Sequence, residues 1–202
     1  MRGYYFITDS GLSVAGNVSD VKNAVSAGVE IVQYREKLKD TGELYREALI
    51  LSGICRGSGT RFIVNDRIDI ALAVDADGVH LGQDDMPYDA ARKLLGQNKI
   101  IGVTVHNIDE AIDAEKAGAD YLGVSPIYST STKRDAGAPG GLELVAAIKR
   151  VCRLPLIAIG GIELSNAPDV IKEGADMVCA ISAVVARPDA AAEIRKFQTM
   201  FN

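Results

Sequence analysis

Short apolar segments recur along the whole chain, and each is followed by a stretch rich in Ala, Glu, Lys and Leu. Apolar runs of about four to eight residues are typical of buried strands, whereas the intervening composition favours helices. This alternation predicts an α/β fold in which helices connect parallel strands. We expect strands at residues 4–8, 30–35, 61–65, 78–81, 101–105, 121–126, 156–160 and 177–182.

Three of these strands are preceded by nearly the same phrase, which reads Ala-Gly-Val-Glu at 27–30, Ala-Gly-Ala-Asp at 117–120 and Gly-Ala-Asp at 174–176. A helix that ends on a glycine and turns at once into a buried strand has this pattern. Eight units in 202 residues leave about 25 residues per unit, which suffices for short helices. We therefore predict one domain spanning residues 1–202, a single (β/α)8 TIM barrel of the α/β class.

A doubly wound open sheet is the alternative fold. Its dinucleotide-binding members carry a Gly-x-Gly-x-x-Gly turn after the first strand, and no such turn follows residues 4–8. Polar residues also gather at the ends of many predicted strands, whereas an open sheet concentrates them at one switch point. Both observations favour the closed barrel.

The chain is acidic, with a formal net charge of −5 and a pI of about 5.1. Nucleic acids and anionic lipids require clustered positive charge, so we expect no general affinity for either. No apolar run approaches the roughly 20 residues that span a bilayer, and no signal-peptide apolar region develops near residue 1. These features predict a cytoplasmic protein with no membrane role. The cysteines Cys55, Cys152 and Cys179 lie far apart, and we expect reduced thiols packed in the core.

The second predicted strand ends in a polar segment with two cations. Because side chains alternate along a strand, Gln33, Arg35 and Lys37 share one face, and Tyr34 and Glu36 take the other. Active sites of barrels lie at the C-terminal ends of the strands. Arg offers a planar fork and Lys a mobile point charge, so the pair suits a diphosphate, although a solvated strand end would carry the same residues.

Carboxylates follow the third and fourth predicted strands. Asp66 and Asp85 are the pair we favour for Mg²⁺, because this ion takes one or two carboxylates together with water and substrate phosphate. Asn65 or Asp66 could instead cap the following helix, and Asp84 could be a capping or solvated neighbour. No His or Cys spacing indicates zinc.

Two histidines and a hydroxyl lie on the next strands. We interpret His80, inside an apolar strand, as a packed side chain, and His106 as a local loop or capping contact. Thr104 offers a hydroxyl at the end of the fifth predicted strand. The segment 125–134 then concentrates hydroxyls and two cations in a loop, a composition suited to surrounding a phosphate.

The last two strands end in small residues. Gly160 and Gly161 would let the backbone approach a ligand closely, and Ser182 precedes an apolar helix whose first N–H groups could face an anion. A tight turn and a serine cap would explain either motif alone. Their joint position favours phosphate binding, because barrels often bind phosphate in the loops after strands seven and eight.

Five segments together resemble the thiamine phosphate synthase family, in unbroken order and over nearly the whole chain. They read QYREK at 33–37, VNDRIDIAL at 64–72, DGVHLGQDD at 77–85, SPIYSTSTK at 125–133 and AIGGI at 158–162. The resemblance implies an enzyme with two phosphorylated small-molecule substrates and Mg²⁺. Such an enzyme would join a pyrimidine diphosphate to a thiazole phosphate and release diphosphate, and it would require no side-chain nucleophile.

The resemblance also implies roles for individual residues. Mg²⁺ would be held by Asp66 and Asp85, and the catalytic cations would be Arg35, Lys37 and Lys133. The pyrimidine diphosphate would contact Gln33, Tyr34, Arg35, Glu36, Lys37, Asn65, Thr104 and Lys133. The thiazole phosphate would contact Thr130, Ser131, Thr132, Gly161, Ile181 and Ser182.

One departure from the family is visible, because many members carry Ser where this chain has Thr104. The hydroxyl is kept and a methyl group is added.

Two other functions stay open. A thiazole tautomerase-like isomerase of the same superfamily carries His where this chain has Pro126, and a non-catalytic phosphate-ligand sensor could use the same scaffold. The sequence also leaves open a homo-oligomer and a carboxylated thiazole substrate.

Overall fold

The computed structural model of the protein describes residues 1–130, 132 and 137–201. The strands are β1 (Gly3–Tyr4), β2 (Phe6–Ile7), β3 (Ile31–Tyr34), β4 (Arg61–Asn65), β5 (Gly78–Leu81), β6 (Ile100–Val105), β7 (Tyr121–Val124), β8 (Leu156–Ile159) and β9 (Met177–Cys179). The helices are α1 (Asn17–Ser26), α2 (Thr41–Ser58), α3 (Ile68–Ala73), α4 (Tyr88–Leu95), α5 (Ile108–Ala117), α6 (Gly141–Val151), α7 (Ala167–Lys172), α8 (Ile181–Val185) and α9 (Ala190–Gln198), followed by a 3₁₀ turn, Thr199–Phe201.

All strand pairs are parallel, and the sheet closes on itself. Its order is β1-β9-β8-β7-β6-β5-β4-β3-β2, and β1 and β2 are two parts of one barrel strand interrupted at Tyr5. Tyr4 pairs with Val178 on β9, whereas Phe6 pairs with Val32 on β3. The first strand therefore bridges the two ends of the sheet, and the predicted eight-stranded TIM barrel is confirmed.

Two strand ends differ from the prediction by more than one residue. The sixth barrel strand ends at Val124, before a cis peptide bond between Ser125 and Pro126. The last strand ends at Cys179, and α8 begins at Ile181, so the prediction that residues 177–182 form one strand was wrong. The early turn into a helix places the backbone of Ile181 and Ser182 at the barrel mouth.

The repeated phrase before the strands has a clear structural role. Gly28, Gly118 and Gly174 adopt positive φ angles of 76°, 95° and 110°, as predicted for glycines that end helices. In two of the three phrases the acid accepts a hydrogen bond from an N–H of the neighbouring strand, Asp120 from Ile101 at 2.8 Å and Asp176 from Leu156 at 2.9 Å. Asp77 makes the same contact with Phe62 at 2.7 Å, whereas Glu30 pairs with Arg61.

The core has two layers. Side chains that point outward from the barrel pack beneath the helices, and a smaller set fills the barrel interior. The three cysteines are free and buried, as expected. Among the described residues, no helix is both long enough and apolar enough to cross a membrane. The interior set consists of Tyr5, Ile7, Ile31, Ile63, Tyr121, Ile157, Met177 and Cys179.

Candidate active site

A cavity of about 320 Å³ opens at the C-terminal end of the barrel, above the interior side chains. Every barrel strand or the loop that follows it contributes to its wall. The predicted site residues that line it are Gln33, Arg35, Lys37, Asn65, Asp66, Asp85, Thr104, Thr130, Thr132, Gly161, Ile181 and Ser182. Ser131 and Lys133, which were also predicted, lie outside the described residues.

One wall of the cavity is charged. The Lys37 ammonium lies 2.5 Å from Asp66 Oδ2, and Arg35 Nη1 lies 3.0 Å from Asp9 Oδ2. Thr8 fixes the backbone of Arg35 further, because its hydroxyl accepts from the Arg35 N–H at 2.9 Å and donates to the Arg35 carbonyl. The guanidinium is therefore held in place before any anion arrives, whereas the ammonium is half exposed and paired with a carboxylate.

Tyr34 and Glu36 lie on the other face of this segment, and neither lines the cavity. The Tyr34 hydroxyl donates to Glu47 at 2.7 Å, and burial raises the pKa of this phenol. The Glu36 carboxylate is fully buried and accepts from the Leu38 N–H at 2.8 Å. Burial alone would raise the pKa of Glu36, but bonds from Ser10 and the backbone lower it. The structure thus supports the predicted alternation and places these two residues behind the wall.

The two predicted metal ligands are neighbours at this wall. Asp66 adopts a left-handed backbone with φ of 59°, and Asp85 Oδ2 accepts from the Gly82 N–H at 2.7 Å. Burial and the adjacent Asp66 carboxylate raise the pKa of Asp85. Two carboxylates this close repel each other unless a cation lies between them.

The donor set fits magnesium. Within residues 1–130, 132 and 137–201, no three His, Cys, Asp or Glu side chains are grouped as metal ligands. Asp66 and Asp85 would hold the ion, and water and substrate phosphate would supply its remaining oxygen ligands. Such a site suits a hard cation that retains several waters and does not suit zinc.

The opposite side of the cavity is built from backbone and hydroxyl groups. Gly161 has φ of 63°, and a Cβ atom there would lie 2.6 Å from the Ser129 carbonyl oxygen and 2.7 Å from Tyr128 Cβ. Only glycine fits this position. Ile181 and Ser182 begin α8, where the first N–H groups have no partner within the helix. This side has the composition of a phosphate site.

The floor of the cavity contains polar side chains that the sequence did not single out. Tyr5, His80 and Tyr121 line the cavity, and His80 is hydrogen-bonded to Tyr121 and Thr104. It stacks on the Tyr121 ring, as expected of a packed side chain, but its apolar neighbours along the strand conceal that it points inward to the cavity. His106 does make the expected local contact, with Nδ1 3.0 Å from Glu110 Oε2.

Known proteins share this sequence and fold. A profile of the family described as thiamine monophosphate synthase matches residues 4–184. A thiamine-phosphate synthase of Methanosarcina mazei is 55% identical over 194 residues, which is 96% of this chain and 80% of the relative. The enzyme of the same name from Chloroflexus aurantiacus is 49% identical over 197 residues, covering 97% of this chain and 91% of the relative.

The structural comparison agrees. A thiamine phosphate pyrophosphorylase from Pyrococcus furiosus superposes with a TM-score of 0.90 at 39% identity, covering 98% of this chain and 94% of that one. FabK from Thermotoga maritima, at 20% identity and a TM-score of 0.71, shares the fold alone. The family profile and the relatives span nearly all of the barrel, including both walls of the cavity, and the chain therefore belongs to the thiamine monophosphate synthase family.

Proposed function

We propose that the protein joins a pyrimidine methyl diphosphate to a thiazole ethyl phosphate, or its carboxylated form, to give thiamine phosphate and diphosphate. The observation that carries this proposal is the division of one cavity into two anion-binding walls. Cations and paired carboxylates form one wall, and glycine backbone with hydroxyls forms the other. Two phosphorylated substrates require two such walls facing a shared space.

The charged wall suits the diphosphate. Asp66 and Asp85 would hold Mg²⁺, which would neutralise charge on the departing diphosphate. Arg35 presents its fork in a position already fixed by Asp9 and Thr8, and Lys37 adds a second cation. A fixed charge such as that of Arg35 stabilises a developing anion without reorganising during the reaction.

The opposite wall suits the thiazole phosphate. Thr130, Thr132 and Ser182 offer hydroxyls, and the backbone at Gly161 is open to close approach. Ser131 is proposed as an additional hydroxyl for the thiazole phosphate, and Lys133 as an additional cation for the pyrimidine diphosphate. Holding the thiazole here would place its ring nitrogen toward the pyrimidine.

The reaction then needs alignment more than acid–base chemistry. The carbon–oxygen bond to diphosphate breaks with its electron pair leaving on oxygen, and the resulting benzylic-type cation is attacked by the thiazole nitrogen lone pair. The new carbon–nitrogen bond leaves the positive charge on the thiazolium ring. A cavity that excludes water protects the cation, and binding both partners in one cavity supplies orientation.

An isomerase acting on the thiazole alone would not need the charged wall. The tautomerase-like alternative therefore leaves Arg35, Lys37, Asp66 and Asp85 without a role, and a sensor leaves the paired carboxylates unexplained. These residues favour the synthase.

The direct test is product formation from the two phosphorylated substrates, measured with and without Mg²⁺. We expect thiamine phosphate and diphosphate in equal amounts, at a rate that collapses when Mg²⁺ is chelated. Asp66→Asn should lower kcat/KM by more than about tenfold. Conversion of the thiazole phosphate without the pyrimidine substrate would instead support the isomerase, and binding without any product would support the sensor.

A further inference from the structure

Five polar side chains form a continuous chain of hydrogen bonds across the floor of the cavity. Gln33 Nε2 lies 2.9 Å from the Tyr5 oxygen, and the two tyrosine oxygens of Tyr5 and Tyr121 are 2.7 Å apart. The Tyr121 oxygen lies 3.0 Å from His80 Nδ1, and His80 Nε2 lies 2.8 Å from Thr104 Oγ1. The chain links β3 to β6 through the barrel interior.

A consistent direction can be assigned to these bonds by starting from their first member. The Gln33 amide nitrogen carries only hydrogens toward Tyr5, so it donates and the Tyr5 oxygen accepts. Burial raises the pKa of both phenols well above ordinary values, and each therefore keeps one hydrogen to give. In this assignment Tyr5 donates to Tyr121, and Tyr121 donates to Nδ1 of His80. With Nδ1 accepting, the ring hydrogen of His80 lies on Nε2 and is donated to Thr104.

The packing holds this arrangement in place. Tyr5 and Tyr121 are 1% and 0% exposed. A Cβ atom on Gly102 would overlap the Tyr121 ring, and one on Gly123 would lie 3.0 Å from His80 Cε1. Glycine inside a strand marks a close approach of this kind. The Tyr121 and His80 rings therefore occupy space that Gly102 and Gly123 leave open because they have no side chain.

We propose that His80 is a positioning residue that makes the Thr104 hydroxyl a hydrogen-bond donor toward the pyrimidine substrate. Because Thr104 accepts from His80, its own hydrogen is left for a ligand in the cavity. Ring nitrogens of an aminopyrimidine are acceptors, and a hydroxyl held as a donor matches them. This proposal rests on the proposed function, because it assigns the pyrimidine to the charged side of the cavity.

The first test reads the tautomer of His80 directly. The chain contains two histidines, so ¹⁵N-labelled histidine gives two ring spectra, and His106→Gln assigns them. At about pH 8, where an ordinary histidine is neutral, we expect the hydrogen of His80 on Nε2. Tyr121→Phe removes the donor to Nδ1, so the preference for the hydrogen on Nε2 should weaken. A hydrogen on Nδ1 in the unaltered protein would overturn the proposal.

The second test separates the two substrates. His80→Phe keeps an aromatic ring and removes both nitrogens, so the KM and Kd of the pyrimidine diphosphate should rise by about tenfold or more. The KM of the thiazole phosphate should stay within about twofold. His80→Gln retains a donor near Thr104 and should restore much of the pyrimidine affinity. Equal losses for both substrates would mean that His80 serves only the fold.

A double-mutant cycle tests whether His80 acts through Thr104. In Thr104→Val, which lacks the hydroxyl, adding His80→Phe should weaken pyrimidine binding little further, because the coupled effect is already lost. Additive losses would show that His80 does not act through Thr104. These outcomes are distinct from a failure of the proposed function, in which the unaltered protein would make no thiamine phosphate from the two substrates.

Discussion

Lys37 and Asp66 form an ion pair in the position where a metal ion and a diphosphate are proposed to bind. The distance between Lys37 Nζ and Asp66 Oδ2 is 2.5 Å, and the lysine side chain is 55% exposed. Exposed pairs of this kind contribute only about 0.2–1 kcal/mol. The ammonium is therefore bound only weakly to the Asp66 carboxylate, and a divalent cation can displace it. Lys37 is then free to contact phosphate oxygens.

Lys37→Met should separate metal binding from catalysis. The substitution keeps the apolar stem and removes the competing charge, so Mg²⁺ should bind the substrate-free protein about two- to fivefold more tightly. The same variant should lose more than about tenfold in kcat/KM, because the departing diphosphate loses a cation. Calorimetric titration with Mg²⁺ and steady-state rates provide the two readouts.

Lys99→Met is the matched control, because Lys99 Nζ lies 2.6 Å from Asp75 at a site away from the cavity. It should change neither Mg²⁺ affinity nor rate. Unchanged or weaker Mg²⁺ binding to Lys37→Met would contradict the competition.

Asp20 carries a buried charge outside the cavity. The residue is 1% exposed, its Oδ1 has no hydrogen-bond partner among the described residues, and its Oδ2 accepts from Ser13 at 2.5 Å. Burial raises the pKa of Asp20, and the Ser13 hydroxyl opposes that rise only in part. An acid with a raised pKa in the folded state favours folding when it is protonated.

Asp20→Asn should therefore stabilise the protein at neutral pH, by about 1 kcal/mol, because the amide never ionises. The gain should be complete above the raised pKa of Asp20. It should shrink as the pH falls through that pKa toward the ordinary value for aspartate, where the native carboxyl is protonated too. Urea unfolding of both proteins across this range measures the difference, and a gain independent of pH would show that charge is not its origin.

At the scale of elements, the turn after β8 is the most constrained connection. Gly161 combines a positive φ with neighbouring backbone that leaves no room for a Cβ atom. Gly57, by contrast, is an exposed residue of helix α2, and a Cβ there would meet nothing within 4 Å. The backbone at Gly161 therefore requires glycine, whereas the helix at Gly57 has room for a side chain.

Gly161→Ala and Gly57→Ala should have effects of opposite sign. Gly161→Ala should destabilise the protein by about 1–3 kcal/mol and raise the KM of the thiazole phosphate, because the turn must move away from the cavity. Gly57→Ala should stabilise it by about 0.5–1 kcal/mol with unchanged kinetics, because alanine favours helix. Thermal unfolding and steady-state rates check both. A Gly161→Ala protein with native stability and KM would mean that the turn tolerates a side chain.

Sequence periodicity predicted the helices and strands better than it predicted which strand side chains point into the barrel. The alternation along β3 separates Arg35 and Lys37 from Tyr34 and Glu36, as the structure does, because a strand has a fixed period of two. The same reasoning missed His80, since a polar residue inside an apolar strand can face either layer. Tyr5 and Tyr121 were likewise hidden, because their partners come from strands distant in the chain.

At the scale of the whole molecule, closure depends on the first strand. β1 and β2 together pair with β9 and β3, and the Tyr5 N–H donates to the Val178 carbonyl at 2.9 Å. Neither end of the sheet is therefore an open edge. A closed sheet cannot lose one strand pairing without exposing its interior, which predicts that residues 1–202 unfold as one cooperative unit.

The three cysteines test this cooperativity. Cys55 lies in α2, Cys152 follows α6 and Cys179 ends β9, and they are 0%, 3% and 0% exposed. Burial raises the pKa of each thiol, that of Cys55 to about 12, so none reacts readily in the folded protein. Labelling at each position therefore reports an opening that exposes the thiol to solvent.

We expect the three thiols to show the same free energy of opening once each rate is divided by the rate for the unfolded chain. Low urea concentrations should accelerate all three with one slope, because a single unfolding event exposes the same surface in every case. Mass spectrometry of peptides after timed alkylation measures the three rates in one sample. Faster labelling of Cys179 with a smaller urea slope would show that the last strand opens alone, since a partial opening exposes less surface than the unfolding of the whole barrel.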